Sequence, residues 1–294
     1  LLDEFILEAS HVEFEYQDGT KAIRDLSLSV EKGRKVAFLG SNGAGKTTLF
    51  LHFNGILRPS RGQVRFAGRD VRYDHASLVE LRKNVGIVFQ DPDTQLFSAS
   101  VLQEVSFGPF NMGLPEDQVR QCVDGAMAAT EITDLRGRPT HFLSYGQKKR
   151  VSIADILAMD PQVIIFDEPT ACLDPRLALR VMDLLDGLSR GGKTVILSTH
   201  DVDLAYSWAD YVFVMKNGEV AGEGQPGSIF QDEELLEQAD LKKPWLLEVY
   251  DELKKKGWLL NGAPVPRTKD QLFEQVSENK SFGHVHVLKA GSRC

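Results

Sequence analysis

Gly40-Ser41-Asn42-Gly43-Ala44-Gly45-Lys46-Thr47-Thr48 decides the fold. The apolar run Val36-Ala37-Phe38-Leu39 precedes it and Leu49-Phe50-Leu51-His52-Phe53 follows, so the stretch joins a strand to the start of a helix. In that setting the pattern G-x-x-x-x-G-K-[ST] is the phosphate-cradling P-loop. Small residues let successive backbone N–H groups point inward at phosphate oxygens. The helix N-terminus adds partial positive charge. Lys46 is the mobile cation for β- and γ-phosphates, and Thr47 offers a hydroxyl to Mg²⁺. The same pattern also fits a plain strand-to-helix turn, so the rest of the chain has to supply what a P-loop lacks.

Working outward, residues 5–16 alternate as a strand, Asp18-Gly19 marks a hairpin turn, and residues 22–30 form a second extended segment. Beyond the loop, residues 77–83 look helical and 85–89 form a strand ending at Gln90. Residues 91–109 read as irregular and polar-aromatic. Pro115-Glu116 opens a helix to about residue 130, with Val119, Cys122, Val123, Ala126 and Met127 at helical spacing. A further helix runs to Ala158, which makes this block a helical insert. The apolar runs 163–166 and 194–198, separated by a helix over 176–189, indicate a buried, mostly parallel sheet. Residues 211–222 form a hairpin about Asn217-Gly218. Residues 244–256 form an amphipathic helix with Trp245, Val249 and Leu253 on one face, and 269–277 a last helix.

Phe166-Asp167-Glu168-Pro169 places two acids directly after a buried strand, at the sheet edge where open α/β folds bind ligands. Asp167 is suited to hold Mg²⁺, and Glu168 to polarise a water attacking the γ-phosphate. Ser144 precedes a helix, as an N-cap does; the same hydroxyl and exposed N–H groups can bind an anion. The formal charge of −8 with no long basic run argues against a nucleic-acid surface. Cys122, Cys172 and Cys294 show no paired spacing, which argues against a disulfide framework or zinc site and fits a reducing compartment. No apolar run nears the ~20 residues that span a bilayer, and Leu1 to Phe5 carry no leader-like pattern.

Together these motifs, in this order over about residues 5–230, resemble the nucleotide-binding domain of ABC transporters. The resemblance implies an α/β P-loop NTPase fold of ABC type: a mixed sheet, an antiparallel N-terminal β part and a helical insert. It makes Tyr16 the aromatic that stacks on adenine, residues 40–48 the Walker A loop, and Gln90 the Q-loop glutamine. It makes Leu143-Ser144-Tyr145-Gly146-Gln147 the signature, Val163 to Glu168 Walker B, Ala171-Cys172-Leu173-Asp174 the D-loop and His200 the switch histidine. Implied roles follow. Glu168, His200, Lys46 and Gln90 are catalytic, and Thr47, Gln90 and Asp167 hold Mg²⁺. Tyr16, the loop 40–48, Ser144, Gly146 and Gln147 bind ATP. Two such domains would associate head to tail, the signature of one closing on the ATP of the other. Tyr145 stands where the family usually has glycine, and Cys172 where it has a small D-loop residue.

Phe89-Gln90-Asp91-Pro92-Asp93-Thr94-Gln95-Leu96-Phe97-Ser98, Val105-Ser106-Phe107-Gly108-Pro109 and Gly113-Leu114-Pro115 resemble the ATPases of energy-coupling-factor importers, in particular those for cobalt or nickel. This implies an ATP-hydrolysing motor at the cytoplasmic face of the cell membrane, bound peripherally. Its partners would be a second ATPase subunit, here a homodimer, a membrane T component and a substrate-capturing S component. No nucleic acid and no membrane span of its own are expected. A vitamin importer is the near alternative, and a soluble non-transport ABC ATPase the further one. Leu96, Phe97 and Phe107 are either a docking surface or the core of the insert. The expected organisation is an ATPase domain over 1–235, with its helical part at about 91–160, and an accessory extension over 236–294. His284 and His286 lie on one face of an extended stretch, where metal sensing or a solvated strand are both open.

Overall fold

The computed structural model describes residues 4–260 and 262–278; Cys294 and the His284/His286 pair lie outside them. Three strands lead to the P-loop: β1 (Phe5–Glu15), β2 (Lys21–Glu31) and β3 (Lys35–Leu39). Helix α1 (Lys46–Phe53) leaves it, followed by β4 (Arg61–Phe66), β5 (Arg69–Asp70), α2 (His75–Asn84) and β6 (Val85–Val88). The insert holds α3 (Val101–Asn111), α4 (Glu116–Ala129) and α5 (Tyr145–Leu157). Next come β7 (Val163–Phe166), α6 (Pro175–Arg190), β8 (Thr194–Thr199), α7 (Val202–Trp208) and the hairpin β9 (Tyr211–Lys216) with β10 (Glu219–Gly224). The chain continues through α8 (Pro226–Ile229), α9 (Glu233–Gln238), α10 (Trp245–Lys255) and α11 (Lys269–Glu278).

Two sheets carry this order. One is antiparallel, β2-β1-β4-β5; the other is β10-β9-β3-β8-β7-β6, parallel except for β10 at its edge. This is the expected mixed α/β architecture. The central strands are apolar through their middles because both their faces are buried, and side chains alternate between two cores. Val36 and Phe38 join the core beneath the antiparallel sheet, while Ala37 and Leu39 join the core under α6 and α7. Ile165 and Ile164 divide in the same way on β7. A third core holds α3, α4 and α5 together. The loops that follow β3, β6, β7 and β8 all emerge at the carboxyl edge of one sheet, and they carry the P-loop, Gln90, Asp167-Glu168 and His200.

Two local expectations change. Residues 91–109 are not irregular throughout: α3 occupies Val101–Asn111. Ser100 caps it by accepting the Gln103 N–H, and the buried Glu104 carboxylate accepts the N–H groups of Phe97 and Ser98 at 3.1 and 2.6 Å. Pro109 sits in the last turn, where little helix remains to be broken. In α10 the face turned to the domain is Leu246, Leu247 and Tyr250, with Leu253 beside it, while Trp245 and Val249 are exposed.

Candidate functional site

The P-loop turns through Gly45 at φ 102°, a left-handed conformation that favours glycine. A Cβ there would lie 2.6 Å from the Ala22 carbonyl oxygen, so β2 leaves no room for a side chain. The Lys46 ammonium is buried and donates to the carbonyls of Gly40 at 2.6 Å and Ser41 at 3.2 Å. Burial lowers its pKa, and the nearby Glu168 and Asp167 carboxylates oppose that. A cleft of about 270 Å³ opens beside it, lined by Tyr16, the run from Asn42 to Thr48, Gln90, Asp167 and Glu168. Gly40 and Ser41 stand behind that lining and hold Lys46.

Asp167 is gripped from both sides. Thr47 Oγ1 donates to Oδ2 at 2.6 Å and Ser198 Oγ donates to Oδ1 at 2.5 Å. The same Ser198 oxygen accepts the Glu168 N–H at 2.9 Å. Ser198 is fully buried at the end of β8 and was not among the expected site residues; its only sequence signal is a small hydroxyl two places before His200. Glu168 is 7% exposed and has φ 46°, a strained backbone that the Ser198 bond helps to hold. His200 Nδ1 lies 3.1 Å from both carboxylate oxygens of Glu168.

Tyr16 packs edge-on against Phe14, ring centroids 5.0 Å apart, and its hydroxyl is 3.0 Å from Thr48 Oγ1. Phe14 in turn meets the buried His52, whose Nδ1 is 2.7 Å from the Thr48 carbonyl oxygen. The half-exposed Tyr16 ring is thus braced at the rim of the cleft.

Ser144, Gly146 and Gln147 lie outside this cleft. Ser144 and Gln147 form a capping box at the start of α5: the Ser144 N–H donates to Gln147 Oε1 at 3.0 Å and the Gln147 N–H to Ser144 Oγ at 3.4 Å. A Cβ on Gly146 would lie 2.6 Å from the Leu177 side-chain tip of α6, which would have to move to admit it. Lys149, also absent from the expected set, is fully buried and donates to the carbonyls of Phe89 at 2.7 Å and Gln90 at 3.1 Å. Burial brings its pKa down to about 8 against the opposing pull of Asp167, Asp91 and Glu168. The Gln90 residue itself is exposed at the cleft.

On the insert side of the molecule a groove of about 470 Å³ is lined by Phe89, Gln95, Phe97, Phe107, Met112 and Met159, among others. Phe97 and Phe107 are 66% and 49% exposed and meet edge to face at 4.8 Å. Leu96 instead packs into the core of the insert. Asp155 at the groove floor receives Gln95 Nε2 at 3.1 Å, and burial raises its pKa to about 7.

Thr47 and Asp167 are hard oxygen donors side by side, with Gln90 on the same cleft. Among the described residues no group of three or more His, Cys, Asp or Glu could cage a metal. The Thr47 hydroxyl and the single Asp167 carboxylate fit Mg²⁺, which takes one or two carboxylates and completes its shell with substrate phosphates and water. No helix among the described residues is long and apolar enough to cross a membrane.

Comparison with known proteins gives the following. The family model described as ABC transporter matches residues 23–171. A putative ABC transporter ATP-binding protein of Methanosarcina mazei is 48% identical over 271 residues, covering 92% of this chain but 60% of the relative's length. An energy-coupling factor transporter ATP-binding protein, EcfA, of Methanocaldococcus jannaschii is 49% identical over 252 residues, covering 86% of this chain and 90% of the relative. Among solved structures, cbiO1 of Clostridium perfringens, part of the ABC transporter complex cbiONQ, superposes with a TM-score of 0.71 at 45% identity, covering 86% of this chain and 99% of that one.

Proposed function

This chain belongs to the ABC transporter family of ATPases, and from that premise we propose that it is the ATP-hydrolysing motor subunit of an energy-coupling-factor importer for cobalt or nickel ions. The observation that carries the motor reading is the arrangement about Asp167. Thr47 of the P-loop and Ser198 of β8 both donate to it, Glu168 follows it, and His200 faces Glu168. The importer reading is supported by the similarity to EcfA and cbiO1, and the metal-ion reading by the stretches 89–98 and 105–115.

Each residue then has a task. Tyr16 stacks on the adenine, and the N–H groups of residues 42–48 receive the phosphates. Lys46 exchanges its carbonyl partners for phosphate oxygens. Thr47, Asp167 and Gln90 hold Mg²⁺, whose charge, when bound, neutralises the phosphate oxygens. Glu168 accepts a proton from the attacking water, and His200, beside Glu168, contacts the γ-phosphate. Ser144, Gly146 and Gln147 lie away from this cleft, which supports a head-to-tail dimer in which they close the ATP site of a second copy. The groove with the exposed Phe97 and Phe107 receives the membrane T component, and a separate S component selects the cargo. The protein thereby sits peripherally at the cytoplasmic membrane face.

Glu168→Gln tests the assignment. The variant is expected to bind ATP as the parent does, to lose turnover by about 10²- to 10⁴-fold, and to accumulate as an ATP-bound dimer on size exclusion. Ordinary steady-state hydrolysis in that variant would overturn it.

A further inference from the structure

Three side chains on one face of α5 grip a single short segment of the same chain. Tyr145, Lys148 and Lys149 are spaced i, i+3, i+4 and therefore point the same way from the first turns of the helix. The Tyr145 hydroxyl donates to the Gln90 carbonyl at 3.1 Å. Lys148 Nζ donates to Asp93 Oδ1 at 2.5 Å, with its side chain only 16% exposed. Lys149 Nζ donates to the carbonyls of both Phe89 and Gln90. Gln95 laces the same segment back to α5: its Oε1 accepts the Phe89 N–H at 3.3 Å, and its Nε2 donates to the Ser152 carbonyl at 2.8 Å. The segment so held joins the end of β6 at the nucleotide cleft to the floor of the Phe97/Phe107 groove.

We propose that Tyr145, Lys148 and Lys149 form a clamp in cis, and that Tyr145 is a positioning residue through which the Gln90 segment sets the placement of the signature turn. Tyr145 occupies the first glycine position of the signature pattern, and its ring turns toward Gln90 of its own chain. Ser144, Gly146 and Gln147 are adjacent to it on the backbone, so a shift of residues 89–93 carries the turn with it. That one segment borders both places, with Gln90 on the nucleotide cleft and Phe89, Thr94 and Gln95 on the groove. This rests on the proposed reading only for the destination of the turn, the ATP of a second copy.

The test is hydrogen–deuterium exchange on the full chain with and without Mg·ATP, read at residues 89–95 and 144–149. In the parent both stretches are expected to change protection together. In Tyr145→Phe combined with Lys148→Met, the first stretch should still respond and the second should lose its response. Turnover should fall about three- to tenfold, as expected for losing one or two such bonds, with ATP affinity within about twofold of the parent. The charge exchange Lys148→Asp with Asp93→Lys should recover the linked response that Lys148→Asp alone loses. A linked response in Tyr145→Phe/Lys148→Met as strong as the parent's would overturn the clamp, as would equal loss of exchange protection throughout the molecule. A parent that shows linked exchange but no ATP turnover would defeat the motor reading and leave the clamp standing.

Discussion

Ser198 serves two neighbours through one oxygen, donating to Asp167 and accepting from the Glu168 N–H. Replacing it with alanine leaves a buried carboxylate oxygen and a buried N–H short of a partner, each a loss of about 1–3 kcal/mol where no water replaces it. Ser198→Ala is expected to lower turnover by roughly tenfold or more and to depress the thermal midpoint, with a smaller change in ATP affinity. Unaltered turnover in a kinetic assay would remove Ser198 from the site. The sequence made most of the cleft legible because P-loop, acid pair and strand-end histidine each need particular residue types. Ser198 and Lys149 escaped because serine and lysine carry no such mark: their importance comes from what the fold buries beside them. Gly146 was legible as part of a motif, but the closeness of Leu177 to it was not.

Among the elements, α5 carries a titratable group that the sequence could not rank. Asp155 faces Gln95, with Glu104 nearby, and has its pKa raised from 3.8 to about 7 by burial. The folded chain therefore holds a proton between about pH 4 and pH 7 that the unfolded chain releases, so this group makes stability decline as pH rises through that window. Asp155→Asn should remove the decline. The variant is expected to be more stable than the parent by roughly 1–2 kcal/mol at about pH 8, and nearly equal to it at about pH 4, by urea unfolding. Parallel stability curves would refute the assignment. Helices α3 and α10 show where local reading falls short. Gly108-Pro109 masked the Ser100 cap that starts α3. Residues 245–253 carry two apolar stripes, and only the docking surface decides that Leu246, Leu247 and Tyr250 turn inward.

At the scale of the molecule, the last residues described are built onto the ATPase core. Leu246, Leu247, Tyr250, Leu259 and Leu272 join the cluster that contains Ala37, Phe166 and Leu197. Tyr206 donates to the Pro266 carbonyl at 2.7 Å, and Arg267 Nε donates to the Tyr206 carbonyl at 3.0 Å. The proposal of an accessory extension over 236–294 can be checked by deleting it. ATP binding is expected to survive, because none of the cleft residues lies there, while the thermal midpoint falls as Tyr206 and its neighbours are uncovered. Loss of ATP binding in a still-folded truncation would end that division of the chain. The sheet order itself was legible only as a class: apolar runs mark buried strands, but their neighbours are fixed by contacts far apart in sequence.

The alternation of β7 between two cores has a consequence for how the chain becomes competent. Ile164 and Phe166 face one core, Ile165 and Val163 the other, and Asp167 is the next residue. A slip of β7 by a single position would exchange its two faces and swing that carboxylate away from Thr47 and Ser198, which arrive on α1 and β8. The meeting of these three segments works as a proofreader of strand register. A chain that has collapsed with its strands misaligned cannot bring Thr47, Asp167 and Ser198 together, and nucleotide gives its free energy of binding to correctly threaded copies alone.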